Sequence, residues 1–172
     1  MDNVLFGLTS EEEKQLIQNR ENSPYLRILE RDGVSYPIPD LIGSSRLIMV
    51  DRDTTGAREV TFGFSEFAGR SAIHKKHSHQ DCEEIMYILS GQGVGGVGGV
   101  DTLCKAGDTL FVPRGEEHWF YNPFDEPCRF LFLYTKASLK EAGYALESAG
   151  YGEIGEEVEK RQESGNNQFD QV

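Results

Sequence analysis

The sequence contains no apolar run of the about 18 residues needed to cross a bilayer as a helix, so no membrane span is expected. It is short of positive charge: 17 lysines and arginines stand against 29 aspartates and glutamates, a net charge of −12. Nucleic acid and anionic membrane surfaces bind basic faces, so neither is expected as a partner. The opening residues, Met1 to Gly7, lack the basic start and apolar centre of a signal peptide. Three cysteines, Cys82, Cys104 and Cys128, cannot all pair within one chain. With no export signal they are expected to be reduced thiols of a cytoplasmic protein. At 172 residues the chain has room for one well-filled core but not for two full domains. Helical periodicity is missing from residue 71 to residue 135. What the chain does have in quantity is glycine (19) and phenylalanine (10), which suits a turn-rich β fold.

Residues 1–25 read as an N-terminal extension with one short helix packed outside the core. Ser10 followed by Glu13 has the spacing of a capping box, Glu11 and Glu12 suit the positive end of a helix dipole, and Ser23-Pro24 ends the segment. The barrel is expected over 26–135. Strand candidates lie at Leu26–Leu29 and Arg46–Val50, and Asp51–Gly56 reads as a loop. Apolar and polar residues alternate from Arg58 to Phe67, as in a half-buried strand. Strand-like segments then alternate with turn residues at short, even spacing, the pattern of a sandwich or barrel. The segment Arg129–Thr135 is apolar on both sides, more than one buried face requires. A homodimer is therefore expected, with the N-terminal strands or helix crossing to the partner. Residues 136–152 return to a helical pattern with Ser138 as cap and Gly143 weakening its middle. Residues 153–172 form an acidic, polar tail expected to be loosely held.

The chemistry concentrates between His77 and Asn122. A strand places residues i and i+2 on one face, so His77 and His79 point the same way. Glu84 follows after a turn-sized gap and opens Ile85-Met86-Tyr87-Ile88-Leu89, facing inward with Met86 and Ile88. His118 opens a second strand-like segment, with Phe120 and Asn122 on its side. Three neutral imidazoles and one carboxylate suit one divalent Fe, Mn, Co, Ni or Zn. The alternative for the same residues is a metal-free barrel that packs them. Cys82, between His79 and Glu84, reads as a small packed side chain rather than a further ligand.

These residues resemble both signature motifs of the cupin superfamily. The first is carried by His77, His79, Glu84 and Gly91; seven residues separate the preceding Gly69 from His77, where the family has five. The second matches throughout: Gly107, five residues, Pro113-Arg114-Gly115, two residues, His118, three residues, Asn122. The fifteen residues between Gly91 and Gly107 are the short spacing of many microbial members. The resemblance covers roughly residues 40–135 and implies an all-β fold. That fold is the double-stranded β-helix, or jelly-roll barrel, with a metal inside, here flanked by short N- and C-terminal helices.

Beyond the four metal-ligand candidates, His74 and Lys75 precede the first ligand and are the candidate catalytic acid–base groups, whichever of them faces the metal. Met86, Arg114 and Phe120 are the candidate substrate-binding residues. Gly93 to Gly98 satisfies GxGxxG, but no helix follows and no βαβ unit encloses it, so a dinucleotide site is rejected. By analogy of fold, a metal-dependent enzyme is expected, with Fe or Mn favoured and Zn, Ni or Co as alternatives. Its leading chemistry is of dioxygenase type on a small enolisable or carboxylate substrate. The same ligand set serves a sugar isomerase, decarboxylase or lyase, and a non-catalytic metabolite-binding protein is the third reading.

Overall fold

The computed structural model describes residues 7, 9–27, 34–38, 41–72 and 74–143. Strands β1 (Val34–Pro37), β2 (Ser45–Val50), β3 (Thr61–Phe67), β4 (Glu84–Ser90) and β5 (Gln92–Val97) are followed by β6 (Val100–Lys105), β7 (Thr109–Val112), β8 (His118–Tyr121) and β9 (Cys128–Tyr134). They form two antiparallel sheets, one in the order β1-β2-β3-β9-β4-β7 and one in the order β6-β5-β8. The expected all-β jelly roll is what the chain forms. No helix among the described residues is long and apolar enough to cross a membrane.

The alternation of the sequence decides which face is inside. Along β4, Glu84, Met86 and Ile88 are buried while Ile85, Tyr87 and Leu89 are exposed. Registers carry this alternation across the large sheet: Glu84 pairs with Tyr134, Met86 with Phe132 and Ile88 with Phe130. Aromatic rings from the two sheets meet between them, Phe120 of β8 lying 5.1 Å from Phe67 and 4.9 Å from Phe130, ring centre to ring centre. Such edge-on and tilted contacts hold the sheets together in one core.

Four local expectations change. The N-terminal helix α1 (Ser10–Asn22) is capped one residue earlier, at Thr9, because Glu12 accepts from the Thr9 backbone N–H at 2.8 Å and completes the box. It buries none of its residues, and Leu16 and Ile17 stay exposed, so it does not pack against the core. Within the expected loop, Arg52–Thr55 form a helical turn, α2, capped by Asp51 and closed by Gly56 in the left-handed region. At the C-terminal end, Ser138 caps one turn in which Glu141 N–H donates to its hydroxyl at 3.1 Å, and Gly143 takes the left-handed region at φ 94°. The remainder of the expected helix, and the acidic tail, lie outside the described residues, as do residues 28 and 29 of the first strand candidate.

Candidate metal centre

His77, His79, Glu84 and His118 converge: one ligand atom from each lies within 4.8 Å of all the others. Backbone pairing brings them together. His77 and His118 exchange both backbone hydrogen bonds (3.1 and 2.8 Å), so they stand directly opposite each other, with ring centres 4.2 Å apart. Gly115, at φ 78°, donates its N–H to the carbonyl of His79 at 2.9 Å and ties the first histidine segment to the second. Glu84 comes from the large sheet, through the first residue of β4. Asn122 has a different task from the ligands. Fully buried, it donates to the carbonyls of Glu126 (2.7 Å) and Phe67 (3.3 Å) and accepts from Phe124 N–H (3.1 Å), which pins the turn after β8.

The ring orientations fit a metal. His77 Nδ1 lies 2.7 Å from the Lys75 carbonyl and His118 Nδ1 3.2 Å from that of Glu116. A carbonyl only accepts, so in the neutral rings Nδ1 carries the proton and Nε2 presents a lone pair. His118 Nε2 approaches Glu84 Oε2 to 2.9 Å and His79 Nε2 approaches the same oxygen to 3.6 Å. Yet neither His118 Nε2 nor Glu84 Oε2, both buried, has a hydrogen bond of acceptable geometry among the described residues. With Nδ1 protonated, His118 Nε2 and Glu84 Oε2 both offer lone pairs at 2.9 Å, and a cation between them would satisfy both.

Electrostatics agree. Burial, and then the positive potential of His118, push His77 down to about 3, so it stays a neutral donor. Burial raises the Glu84 carboxyl, but its contacts with His118 and His79 outweigh this and hold it below the usual carboxylate range. Burial lowers His118 too, and the Glu84 carboxylate overcomes it, leaving that imidazole raised. An ionised Glu84 beside a neutral His77 is the state in which such groups bind a divalent ion, and the ion would have to displace the proton that Glu84 favours on His118.

A cavity of about 310 Å³, its open mouth included, adjoins the cluster. Among the candidates from sequence, His74, Met86 and Phe120 line it together with His77, Glu84 and His118. His74 stands edge-on to His77, ring centres 5.1 Å apart, and burial, then His77 and Arg46, keep it well below its ordinary value and hence neutral. Lys75 and Arg114 do not line the cavity. Lys75 is exposed and contributes its carbonyl to His77, because the segment before His77 is not a regular strand that would turn the lysine inward. Arg114 sits in the exposed turn before Gly115, 4.0 Å from Glu83. Cys82 is packed as expected, its thiol donating to the Glu83 carbonyl at 3.2 Å and raised by burial. Sequence reasoning missed Arg46, Ser65 and Tyr134, which also line the cavity. Lys76, equally unforeseen, lies 4.0 Å over the Trp119 ring.

Residues 63–134 match the family model described as the Cupin domain. Among curated proteins, the chain is similar to the oxalate-binding protein of Thermotoga maritima, with 42% identity over 55 residues, 32% of this chain and 46% of that protein. It is also similar to the acireductone dioxygenase of a Picosynechococcus species, with 32% identity over 56 residues, 30% of this chain and 31% of that protein. The aligned stretches thus span less than half of either relative. Among solved structures, a predicted oxalate decarboxylase from Thermotoga maritima shares the fold at a TM-score of 0.55 and 23% identity, over 64% of this chain and 98% of that one.

Proposed function

The chain belongs to the cupin superfamily, and on that premise we propose that it is a metal-dependent enzyme with dioxygenase-type chemistry on a small enolisable or carboxylate substrate. The observation that carries this reading is the buried set His77, His79, Glu84 and His118, whose donor atoms share one space. Those four residues would hold one divalent ion, Fe or Mn before Zn, Ni or Co. Such an ion supplies Lewis-acid polarisation of substrate oxygens and, if redox-active, electrons for oxygen chemistry.

The chain's own residues do the rest. Met86 and Phe120 wall the cavity with apolar surface and exclude water from it. His74, neutral beside His77, offers a ring nitrogen that can hold or pass a proton at the cavity wall. The similarity to a protein named acireductone dioxygenase supports the oxygenase reading. The similarity to one named oxalate-binding protein supports a carboxylate ligand, and with it a second reading in which the same site decarboxylates or binds without oxygen.

The test is elemental analysis of gently purified protein, coupled to oxygen uptake with diketones, catechols and hydroxy acids. About one Fe or Mn per chain with uptake, both lost in His118→Ala, supports the oxygenase. Metal without uptake moves the assignment to the non-oxidative reading, and absence of binding after reconstitution overturns the metal site. The reading also includes a homodimer, supported by Ile85, Tyr87 and Phe111 exposed together on the outer face of β4 and β7. A monomeric mass by light scattering at micromolar concentration refutes it.

A further inference from the structure

His77 stands outside any regular strand. Two isolated backbone bridges, Ser71 with Asn122 and His77 with His118, tie its segment to β8. Between those bridges the first segment has two residues more than the stretch opposite it, so the ladder that would ordinarily fix a strand is interrupted just before His77. The interval from Gly69 to His77 exceeds the family's spacing by the same two residues.

On the outside of this junction stands a cross-strand pair. His77 opposes His118 in antiparallel register, so Lys76 opposes Trp119. Side chains alternate along β8, and with His118 and Phe120 turned inward, Trp119 points out of the barrel. It is nevertheless only 4% exposed. Lys76 Nζ lies 4.0 Å from the centre of the indole, within cation–π range. The indole is also fixed by the rest of the small sheet. It lies against Gly96, its partner on β5, where an added Cβ would come within 1.9 Å of the ring. Its Nε1–H donates to Asp101 Oδ1 at 2.8 Å, and the Tyr121 hydroxyl donates to Oδ2 of the same carboxylate at 3.2 Å. A carboxylate on the indole N–H makes the ring face more negative, and so a better seat for an ammonium.

We propose that Lys76 is a positioning residue for the metal centre: seated on the Trp119 indole, it staples the His77 segment to the His118 strand from outside the barrel and holds the two imidazoles at their 4.2 Å ring spacing. The metal half of this rests on the metal-centre reading above. Lysine here touches neither ion nor substrate and acts through the backbone of its neighbour. Simple electrostatics predicts the opposite sign. A cation near a divalent ion repels it, so removing a lysine that is only surface charge would tighten metal binding. Removing a staple weakens it.

The test compares the wild type with Lys76→Met, which keeps an unbranched stem and loses the charge, and Lys76→Arg, which keeps a cation able to stack on the indole. Cobalt(II) is the probe, its affinity read by competition with a chromophoric chelator and its coordination by the visible ligand-field spectrum. Lys76→Met is expected to bind cobalt about fivefold less tightly, the size of one cation–π contact, and to shift the ligand-field bands. Lys76→Arg restores both. Unchanged or tighter binding in Lys76→Met, or a loss that Lys76→Arg does not restore, overturns the staple. Hydrogen exchange in the metal-free protein reads the junction without any ion. The His77 and His118 amides donate across it at 3.1 and 2.8 Å. In Lys76→Met they exchange about fivefold faster, and in Lys76→Arg at the wild-type rate. Equal exchange in all three overturns the staple. Faster exchange in Lys76→Met, with no cobalt bound by any of the three, supports the staple and overturns the metal reading.

Discussion

The two sheets of the barrel are built from different material. In the large sheet, β3, β4 and β9 fill the inside with side chains, and a single glycine, Gly63, stands beneath a ring, where an added Cβ would meet Phe132 at 2.5 Å. In the small sheet, β5 carries Gly93, Gly95 and Gly96, and the volume they give up is taken by other residues. A Cβ on Gly93 would lie 2.5 Å from the Phe120 ring and one on Gly96 only 1.9 Å from that of Trp119. Trp119 and Phe120 follow His118 directly in β8, so the glycines of β5 set how closely the histidine strand can approach. The large sheet supplies charge, through Glu84 and Arg46, and the small sheet supplies the tightly seated imidazole opposite it. A metal at the cluster would tie one sheet to the other.

That division is broken most severely by removing the tie. Chelation is expected to lower stability by about 2.7 kcal/mol where free metal had stood at about 100 times its Kd, with a parallel drop in melting temperature. Glu84→Gln, which takes away the large sheet's charge, should lower metal content to near zero and make the melting temperature insensitive to chelator. A variant that still responds to chelator would show that the carboxylate is not a ligand.

The glycine strand is the next place to press. Gly96→Ala forces the Trp119 ring aside and is expected to cost about 1–3 kcal/mol, as overpacking does, and to weaken metal retention. Gly99→Ala, at φ 84° with open space around it, is strained in backbone alone, about 1–2 kcal/mol, and should leave the metal in place. Trp119 is the chain's one tryptophan, so its fluorescence separates the two variants: the emission moves in Gly96→Ala and not in Gly99→Ala. Equal metal loss in both would mean that β5 does not position His118.

Acid presses on the cluster itself. His77 is pushed from 6.5 down to about 3, so below pH 6.5 the unfolded chain takes up a proton that the folded chain resists. The stability this residue permits is therefore whole above pH 6.5 and lost progressively as pH falls toward about 3. His118, raised by Glu84, works in the opposite sense, stabilising below its ordinary value and losing that contribution as pH rises. In metal-free protein, His77→Asn should flatten the fall of melting temperature on the acid side of pH 6.5. An unaltered profile would remove His77 from the account.

The barrel and its metal candidates were legible because strand alternation and turn glycines are local properties. Met86 and Ile88 follow Glu84 inward by counting in twos, and Gly115 turns where its neighbours predict. Arg46 was not legible. In Ser45–Val50 the residues on either side of it are also part of an apolar strand, so phase was ambiguous, and an arginine is ordinarily assigned to the wet face. Its inward placement depends on pairing with Ser65, nineteen positions along, which no local pattern carries. Lys75 failed for the complementary reason: counting in twos back from His77 assumes a strand that does not extend there.

The smallest expected effect belongs to the other arginine. Arg114 sits inside the second histidine motif and attracts attention by its neighbours, yet its side chain is 58% exposed and its acidic partner Glu83 lies at the 4.0 Å edge of contact. An exposed pair of this kind contributes little, because solvent screens it and two long side chains must be ordered to make it. Arg114→Ala should therefore change stability by less than about 0.5 kcal/mol and leave metal content untouched. Set beside Arg46→Met, it compares two arginines that differ in whether a β-strand turns the side chain into the barrel or a turn leaves it in water. If Arg114→Ala lowered the melting temperature as much as Arg46→Met, the exposed pair with Glu83 would be holding the turn before Gly115 in place.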